Sequence, residues 1–343
     1  MYCLELAGED DPFAAREAAT VAAGVEVVAP GVAVAGSLRV ERVRALAYTR
    51  YASELLGRTG ADVDAARVLL AAAGIDREGS VAVRARDVRA SAGVSTSAAE
   101  RELGSVLVER GFAVDLDDPD HVLRAVFADD ACVLGWQVAE SERSFGRRKP
   151  TDRPFFQPGS MAPMDARALA NLAGAEPGAR ILDPMCGTGG VLIEAGLVGA
   201  DVLGADAQRK MVRGARENLR EYLGESPEGG EFEGGEFEGG DFEPGDFEVL
   251  RGDATRLALR DGAVDGVVFD APYGRQSKIE RHDLADLVAG ALAEARRVAP
   301  RAVLMADRSW EAAAAEAGWT VEAVFERRVH RSLTRYVHIL DDT

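Results

Sequence analysis

The sequence predicts an α/β protein: a doubly wound, mostly parallel sheet closed by an antiparallel strand across residues 155–343, preceded by a smaller α+β region. Three observations carry this expectation. From Arg180 onward, short apolar runs alternate with helix-periodic stretches, the rhythm of a parallel sheet covered on both faces. That rhythm ends in two strand-like segments joined by a short polar turn, which reads as an antiparallel pair. The first 150 residues lack the rhythm and show alternating strands with one well-marked helix.

Taken in order, residues 1–49 read as an α+β part of ferredoxin-like type and residues 50–140 as a second small module. In the latter, Ala82–Val88 alternates as a strand with Arg84 and Arg86 on one side, and Arg89 follows closely. Thr96–Arg110 has helical periodicity, a polar start and Gly111 as its stop. Phe112–Leu116 and Val122–Phe127 are further strands. Residues 141–154, charged and proline-bounded, read as a linker carrying Arg147, Arg148 and Lys149. Strands are then expected at Arg180–Asp183, Val202–Asp206, Phe247–Arg251, Val264–Asp270 and Ala302–Asp307, with a helix at Lys210–Leu223. Val321–Val329 and Leu333–His338 form the closing pair, an ending typical of the methyltransferase version of the doubly wound fold.

The chain has 343 residues, enough for two or three domains. No stretch approaches the ~18 apolar residues of a membrane span. The start, Met1–Glu5, lacks a basic region followed by an apolar one, so no signal peptide and a cytoplasmic location are expected. Three scattered cysteines, Cys3, Cys132 and Cys186, suit neither a disulfide framework nor a zinc cluster, and no metal is expected.

The net charge of −18 is unevenly placed: residues 225–248 hold ten acids and no base. Within them Glu231-Phe232-Glu233-Gly234-Gly235 repeats with small changes, so residues 225–246 are expected to be a disordered insert. Only three of the 40 basic residues are lysine. Low lysine with surplus acid suggests a halophilic source, though a GC-rich genome also favours arginine over lysine.

Ile181–Gly190 reads as a strand, a glycine-rich turn and a helix start. Cys186, Gly187 and Gly189 line the turn, where backbone could approach a ligand closely. The segment lacks the Gly-Lys-Ser/Thr ending of a P-loop and the spacing of the dinucleotide fingerprint. Asp183, at the strand end, would repel a phosphate but suits an ammonium group, as in S-adenosyl-L-methionine. Asp206 ends the next strand, a position from which a carboxylate binds ribose hydroxyls. Asp253 and Ala254 follow the third strand, where the acid could accept from an adenine amine. Cys186 reads as a small packing residue rather than a nucleophile, since no base is near it in sequence.

A second chemical motif, Asp270-Ala271-Pro272-Tyr273-Gly274, leaves the end of the next strand. Together these segments resemble the successive motifs of S-adenosylmethionine-dependent amino-methyltransferases, whose signature is Asp/Asn/Ser-Pro-Pro-aromatic. Phe155–Met161 and Met164–Arg167 are similar to the segment leading into the catalytic domain of archaeal tRNA guanosine-10 N2-methyltransferases, which carry an N-terminal THUMP domain. Residues 50–140 look like such an RNA-binding domain. Ala271 departs from the signature, standing where its first proline usually lies.

The resemblance implies a tRNA-processing enzyme that methylates N2 of guanosine 10 once and then again, and a monomer is expected. In it Asp270 and the carbonyls beside Pro272 would hold the amine while Tyr273 stacks on the base. Arg84, Arg86, Arg147, Arg148 and Lys149 are the candidate RNA contacts, with Arg327, Arg328, Arg331 and Arg335 on the last strand pair. Rival readings keep the chemistry and move the target to another tRNA position, ribosomal RNA or adenine N6. Others are a non-catalytic RNA-binding protein with a vestigial fold, or a dinucleotide oxidoreductase.

Overall fold

The chain folds as two units, Met1–Glu142 and Arg143–Thr343, and the computed structural model describes residues 1–224, 243–272, 284–330 and 333–343. The strands of the first unit are β1 (Tyr2–Leu6), β2 (Ala22–Ala23), β3 (Glu26–Ala29), β4 (Val32–Ala35), β5 (Ser37–Leu38), β6 (Thr49–Gly60), β7 (Ser80–Asp87), β8 (Ala113–Val114), β9 (His121–Ala128) and β10 (Ala131–Glu140). β2 pairs with β5, and the others form one sheet in the order β3-β4-β1-β6-β10-β9-β7-β8.

β6 is its centre. It pairs antiparallel with β1 at Leu4↔Ala52 and with β10 at Gly57↔Leu134. The boundary that the sequence suggests at residue 49 therefore falls where β6 begins, and residues 1–49 and 50–140 share a single sheet. A strand with apolar contacts to hide needs neighbours on both edges, and those neighbours come from both segments.

Helices α1 (Asp11–Ala18), α2 (Val63–Ala72) and α3 (Thr96–Glu109) start at Asp10, Asp62 and Ser95, whose side chains accept from the N–H groups of Phe13, Ala65 and Ala98. Each cap satisfies a donor that the helix leaves unpaired. β8 is much shorter than the Phe112–Leu116 strand read from sequence. The Asp115 carboxylate accepts from the N–H groups of Asp117 and Asp118, which turns the chain and ends the strand.

The second unit contains α4 (Pro163–Leu172), β11 (Arg180–Asp183), α5 (Gly190–Gly196), β12 (Asp201–Asp206), α6 (Arg209–Leu223), β13 (Phe247–Arg251) and β14 (Gly266–Asp270). α7 (Leu284–Val298), β15 (Arg301–Ala306), α8 (Glu311–Glu316), β16 (Thr320–His330) and β17 (Leu333–Asp341) follow. The sheet order is β13-β12-β11-β14-β15-β17-β16. β11 to β15 run parallel, while β17 lies antiparallel between β15 and β16, as the sequence predicts. The order reverses between β11 and β14, and the crevice at such a switch point is where open α/β sheets bind ligands. Phe269, Leu304, Val267 and Leu292, all fully buried, fill one face.

Residues 143–154, read as a linker, belong to this second unit. Phe145 and Arg148 are buried there, and the Arg148 guanidinium meets the Glu194 carboxylate at 2.7 Å. Arg167 reaches the same carboxylate at 2.8 Å. Glu194 is fully buried in α5, so the two arginines supply the charge that water cannot. Residues 225–242 of the acidic insert lie outside the described residues. Its last residues are fixed: Gly245 N–H donates to the Gly196 carbonyl and Asp246 N–H to the Asp201 carboxylate. Among the described residues no helix is long and apolar enough to cross a membrane.

Replacing Glu194 with alanine would leave two buried guanidinium groups facing each other. The expected loss is about 3–5 kcal/mol, the usual result of breaking a buried pair, measured by denaturant unfolding. A loss under ~1 kcal/mol, the level of a surface pair, would show that the network is dispensable.

Candidate active site

Four neighbouring strands, β13, β12, β11 and β14, each deliver an aspartate at or just beyond the carboxyl end. These are Asp253, Asp206, Asp183 and Asp270, all four expected from the sequence. The turn after β11 holds the middle of this row. Gly187 and Gly189 adopt φ of 52° and 78°, the left-handed region that favours glycine. Cys186 N–H bonds the Ala205 carbonyl at 2.9 Å, and Gly189 N–H bonds the Cys186 carbonyl at 2.7 Å. Gly187 N–H donates to Asp206 at 3.1 Å. The turn is thereby stitched to β12, and Asp206 is held in place further by the Gln208 N–H at 2.8 Å.

Asp183 is 3% exposed and accepts the Met185 N–H at 3.0 Å. Burial pushes its carboxyl up to about 8; the Met185 bond opposes this and the charge of Asp206 adds to it. A buried carboxyl of this kind is suited to a cationic partner, which would restore its charge. Burial also pushes the Cys186 thiol well up, with Asp183 and Asp206 adding, so it is no nucleophile. Its sulfur packs where a Cβ on Gly204 would sit, 3.2 Å away. The Asp253 carboxylate accepts from the N–H and hydroxyl of Thr255 at 3.0 and 2.8 Å, and Ala254 is buried beside it.

The segment before α4 lies over this turn. Fully buried Asn218 of α6 accepts the Phe155 N–H at 2.8 Å and donates to the carbonyls of Phe155 and Thr188 at 2.8 and 2.9 Å. Ser160 and Thr188 hydroxyls meet at 3.1 Å. The Phe155 ring occupies the space a side chain at Gly214 would need, since a Cβ there would stand 1.9 Å from the ring. This packing gives Phe155–Met161 its place in the site. Sequence reasoning found the motif but not Asn218 or Gly214, whose i, i+4 spacing on one face of α6 was the available signal.

Asp270 ends β14, and its Oδ1 accepts from Nη2 of Arg335 on β17. Arg335 is 4% exposed and also donates to the Ala306 carbonyl at 3.3 Å. Burial lowers its guanidinium to about 10, with Asp165 acting in the opposite sense, so it stays cationic at neutral pH. Arg335 is thus an internal partner of Asp270, whereas the sequence placed it on an RNA-facing strand. Arg327 likewise pairs with Asp165 at 3.0 Å. Ala271 is 2% exposed, and its N–H donates to the Met305 carbonyl at 2.8 Å. Pro272 follows; Tyr273, Gly274 and Arg331 lie outside the described residues.

The candidate RNA contacts separate. Arg148 is the clear correction: it is buried against Glu194, because that carboxylate requires a cation. Arg147 and Lys149 are exposed. In the first unit Arg84 donates to the Leu116 carbonyl at 2.6 Å, and Arg86 meets buried Glu5 at 3.3 Å. Both arginines are half-buried and make internal bonds.

A row of acids at the switch point of a sheet with an antiparallel penultimate strand defines the class: a doubly wound methyltransferase. Comparisons with known proteins agree. The profile of the UPF0020 family (RMKL-like, methyltransferase domain) matches residues 150–228. The crystallised SMU.472 protein, complexed with SAH, covers 100% of this chain and 98% of its own at 13% identity and a TM-score of 0.50, a likeness of fold alone. The tRNA (guanine(10)-N2)-dimethyltransferase of Methanothermobacter thermautotrophicus is 37% identical over 307 residues, 86% of this chain and 83% of that one. That of Pyrococcus abyssi is 32% identical over 270 residues, 77% and 74% respectively. The chain belongs to the tRNA (guanine(10)-N2)-dimethyltransferase family.

Alanine for glycine inside a helix ordinarily stabilises by roughly 0.5–1 kcal/mol. At Gly214 the sign should reverse, because the new methyl group must displace the Phe155 ring; overpacking of this kind costs about 1–3 kcal/mol. A lower Tm for Gly214→Ala is expected, and an unchanged or higher one would show that Phe155 does not pack there.

Proposed function

We propose that this protein transfers methyl groups from S-adenosyl-L-methionine to the exocyclic N2 amine of guanosine 10 in tRNA, adding one and then a second. The observation that carries the reading is Asp270, a carboxylate at the switch-point strand end and fixed by a buried arginine, in a chain of this family. The acids and turn of the neighbouring strands fit the donor. Asp183 would hold its ammonium group, Asp206 its ribose hydroxyls, and Asp253 with Ala254 its adenine, with the Cys186–Gly189 backbone beside it.

When bound, the cofactor supplies an electrophilic methyl group on a sulfonium. The guanine amine is a poor nucleophile because its lone pair is delocalised into the ring. Arg335 engages Oδ1 of Asp270 and leaves Oδ2 to accept one amine hydrogen. A carbonyl of Ala271 or Pro272 accepts the other, which fixes the nitrogen and directs its lone pair. Pro272 limits backbone freedom at that point, and Tyr273 stacks on the base. A methylated amine nitrogen is strongly acidic, and Asp270 would take its proton and pass it to water. Alignment supplies most of the rate. A base within structured RNA must be flipped out to reach this depth.

In this reading residues 50–140 of the first unit are a THUMP-type RNA-binding module carrying Arg84 and Arg86, and Arg147 and Lys149 of the second unit are further RNA contacts. Mass mapping of nucleosides from tRNA treated with the enzyme and labelled cofactor should place label on N2 of guanosine 10. Label only on adenine, or only in ribosomal RNA, overturns the reading. Asp270→Ala should lower turnover by about 10²-fold or more, the scale of a lost general base, with cofactor affinity retained. Comparable turnover would remove Asp270 from the mechanism.

Binding should also depend on pH. Below about 8 the free Asp183 carboxyl is protonated, so an ammonium ligand must expel that proton. Cofactor affinity should therefore fall as pH is lowered from about 8, by up to tenfold per unit. Calorimetry at neutral pH in buffers of different ionisation heat should register proton release. Binding heats independent of buffer would place the ammonium elsewhere.

A further inference from the structure

α6 carries Arg209, Arg213, Arg216 and Arg220, spaced at i, i+4, i+7 and i+11. At 3.6 residues per turn this spacing aligns them in one stripe about 16 Å long. With Val212 and Arg251 of β13 they line a groove of about 250 Å³. All five arginines are exposed. The acids of the helix, Glu217 and Glu221, are not among the residues lining the groove; Glu217 stands four residues after Arg213 at the edge of the stripe, without an ion pair between them. Among the described residues none of the five arginines has a carboxylate partner. Arg216 and Arg251 instead donate to the carbonyls of Val249 and Ala207, which fixes their guanidinium groups.

We propose that this groove binds the phosphodiester backbone of the RNA substrate; the inference rests on the reading that the substrate is RNA. Five like charges repel one another, and acids outnumber bases in this chain by 58 to 40. Neighbouring carboxylates could readily have neutralised a stripe with only a solubilising role, as they do for Arg297 with Glu294 and Asp261. Arginine forks suit phosphate oxygens, and a row of them suits a chain of phosphates better than a single anion. Two of its arginines also stand close in sequence to the catalytic end. Arg209 lies three residues after Asp206, and Arg251 two before Asp253, so a strand held here leads toward the row of aspartates. At this face the acidic chain meets RNA through a local field rather than its net charge.

The test is tRNA binding by the whole protein over a salt series. Arg209, Arg213 and Arg220 are replaced together by glutamine, sparing the two arginines bonded to backbone, and Arg260→Gln serves as a control at an exposed arginine outside the groove. The triple variant should bind tRNA more weakly, with the slope of log K against log salt reduced by about 2–3. Its Tm should be unchanged, and triple replacement by lysine should restore most of the slope. If the wild type methylates tRNA guanine while the glutamine variant keeps its affinity and slope, the groove proposal is wrong and the functional reading stands. If no tRNA guanine is methylated but tRNA binding still loses that slope in the variant, the groove stands and the functional reading falls. An equal loss in Arg260→Gln overturns the proposal by showing a general charge effect.

Discussion

One buried amide organises the catalytic unit. Asn218 has no contact with solvent, yet its oxygen and nitrogen are both bonded, to Phe155 on one side and Thr188 on the other. A buried amide with unmade bonds costs about 1–3 kcal/mol, so these three segments are held in one arrangement. The glycine turn, the segment before α4 and α6 are thereby locked together. With Asn218 and Gly214 facing inward, the arginine stripe of α6 must face outward.

The electrostatic arrangement follows from the same sheet. Parallel strands bring their carboxyl ends to one side, so aspartates placed there crowd together. Burial raises the Asp183 carboxyl to about 8, and the neighbouring charge of Asp206 adds to the shift. Asp270 is treated differently, because inserting β17 antiparallel beside β15 carries Arg335 to the end of β14. The closing strand therefore does more than complete the sheet. Two carboxyl groups at neighbouring strand ends thus stand in different surroundings, one buried and awaiting a cation, the other already beside one.

Much of this was legible in the sequence. The apolar runs located every strand of the second sheet within a few residues, and the acids that follow them marked the site. Those signals are local, since an alternating run names its own face and its own end. What was missed depends on partners distant in sequence. Arg148 looked like part of a basic linker because nothing near it reveals Glu194, 46 residues later. Arg335 looked like a surface charge for the same reason, with Asp270 65 residues before it. The single sheet of the first unit escaped notice because β1 and β10, the neighbours of β6, lie at opposite ends of that unit. The stripe on α6 could have been read directly, since its helical spacing is explicit in Arg209–Arg220.

Ala271 has a wider consequence. A proline at the first position after the aspartate would stiffen the loop by restricting the unfolded chain, an effect of about 0.4–1 kcal/mol. It would also forgo the N–H bond that Ala271 makes to Met305 and leave that buried carbonyl without its donor, a cost of about 1–3 kcal/mol. Alanine with its N–H bond therefore tethers this loop at least as firmly as a proline would. A search pattern demanding two prolines would therefore discard sequences such as this one, in which a backbone bond does the work of the missing ring.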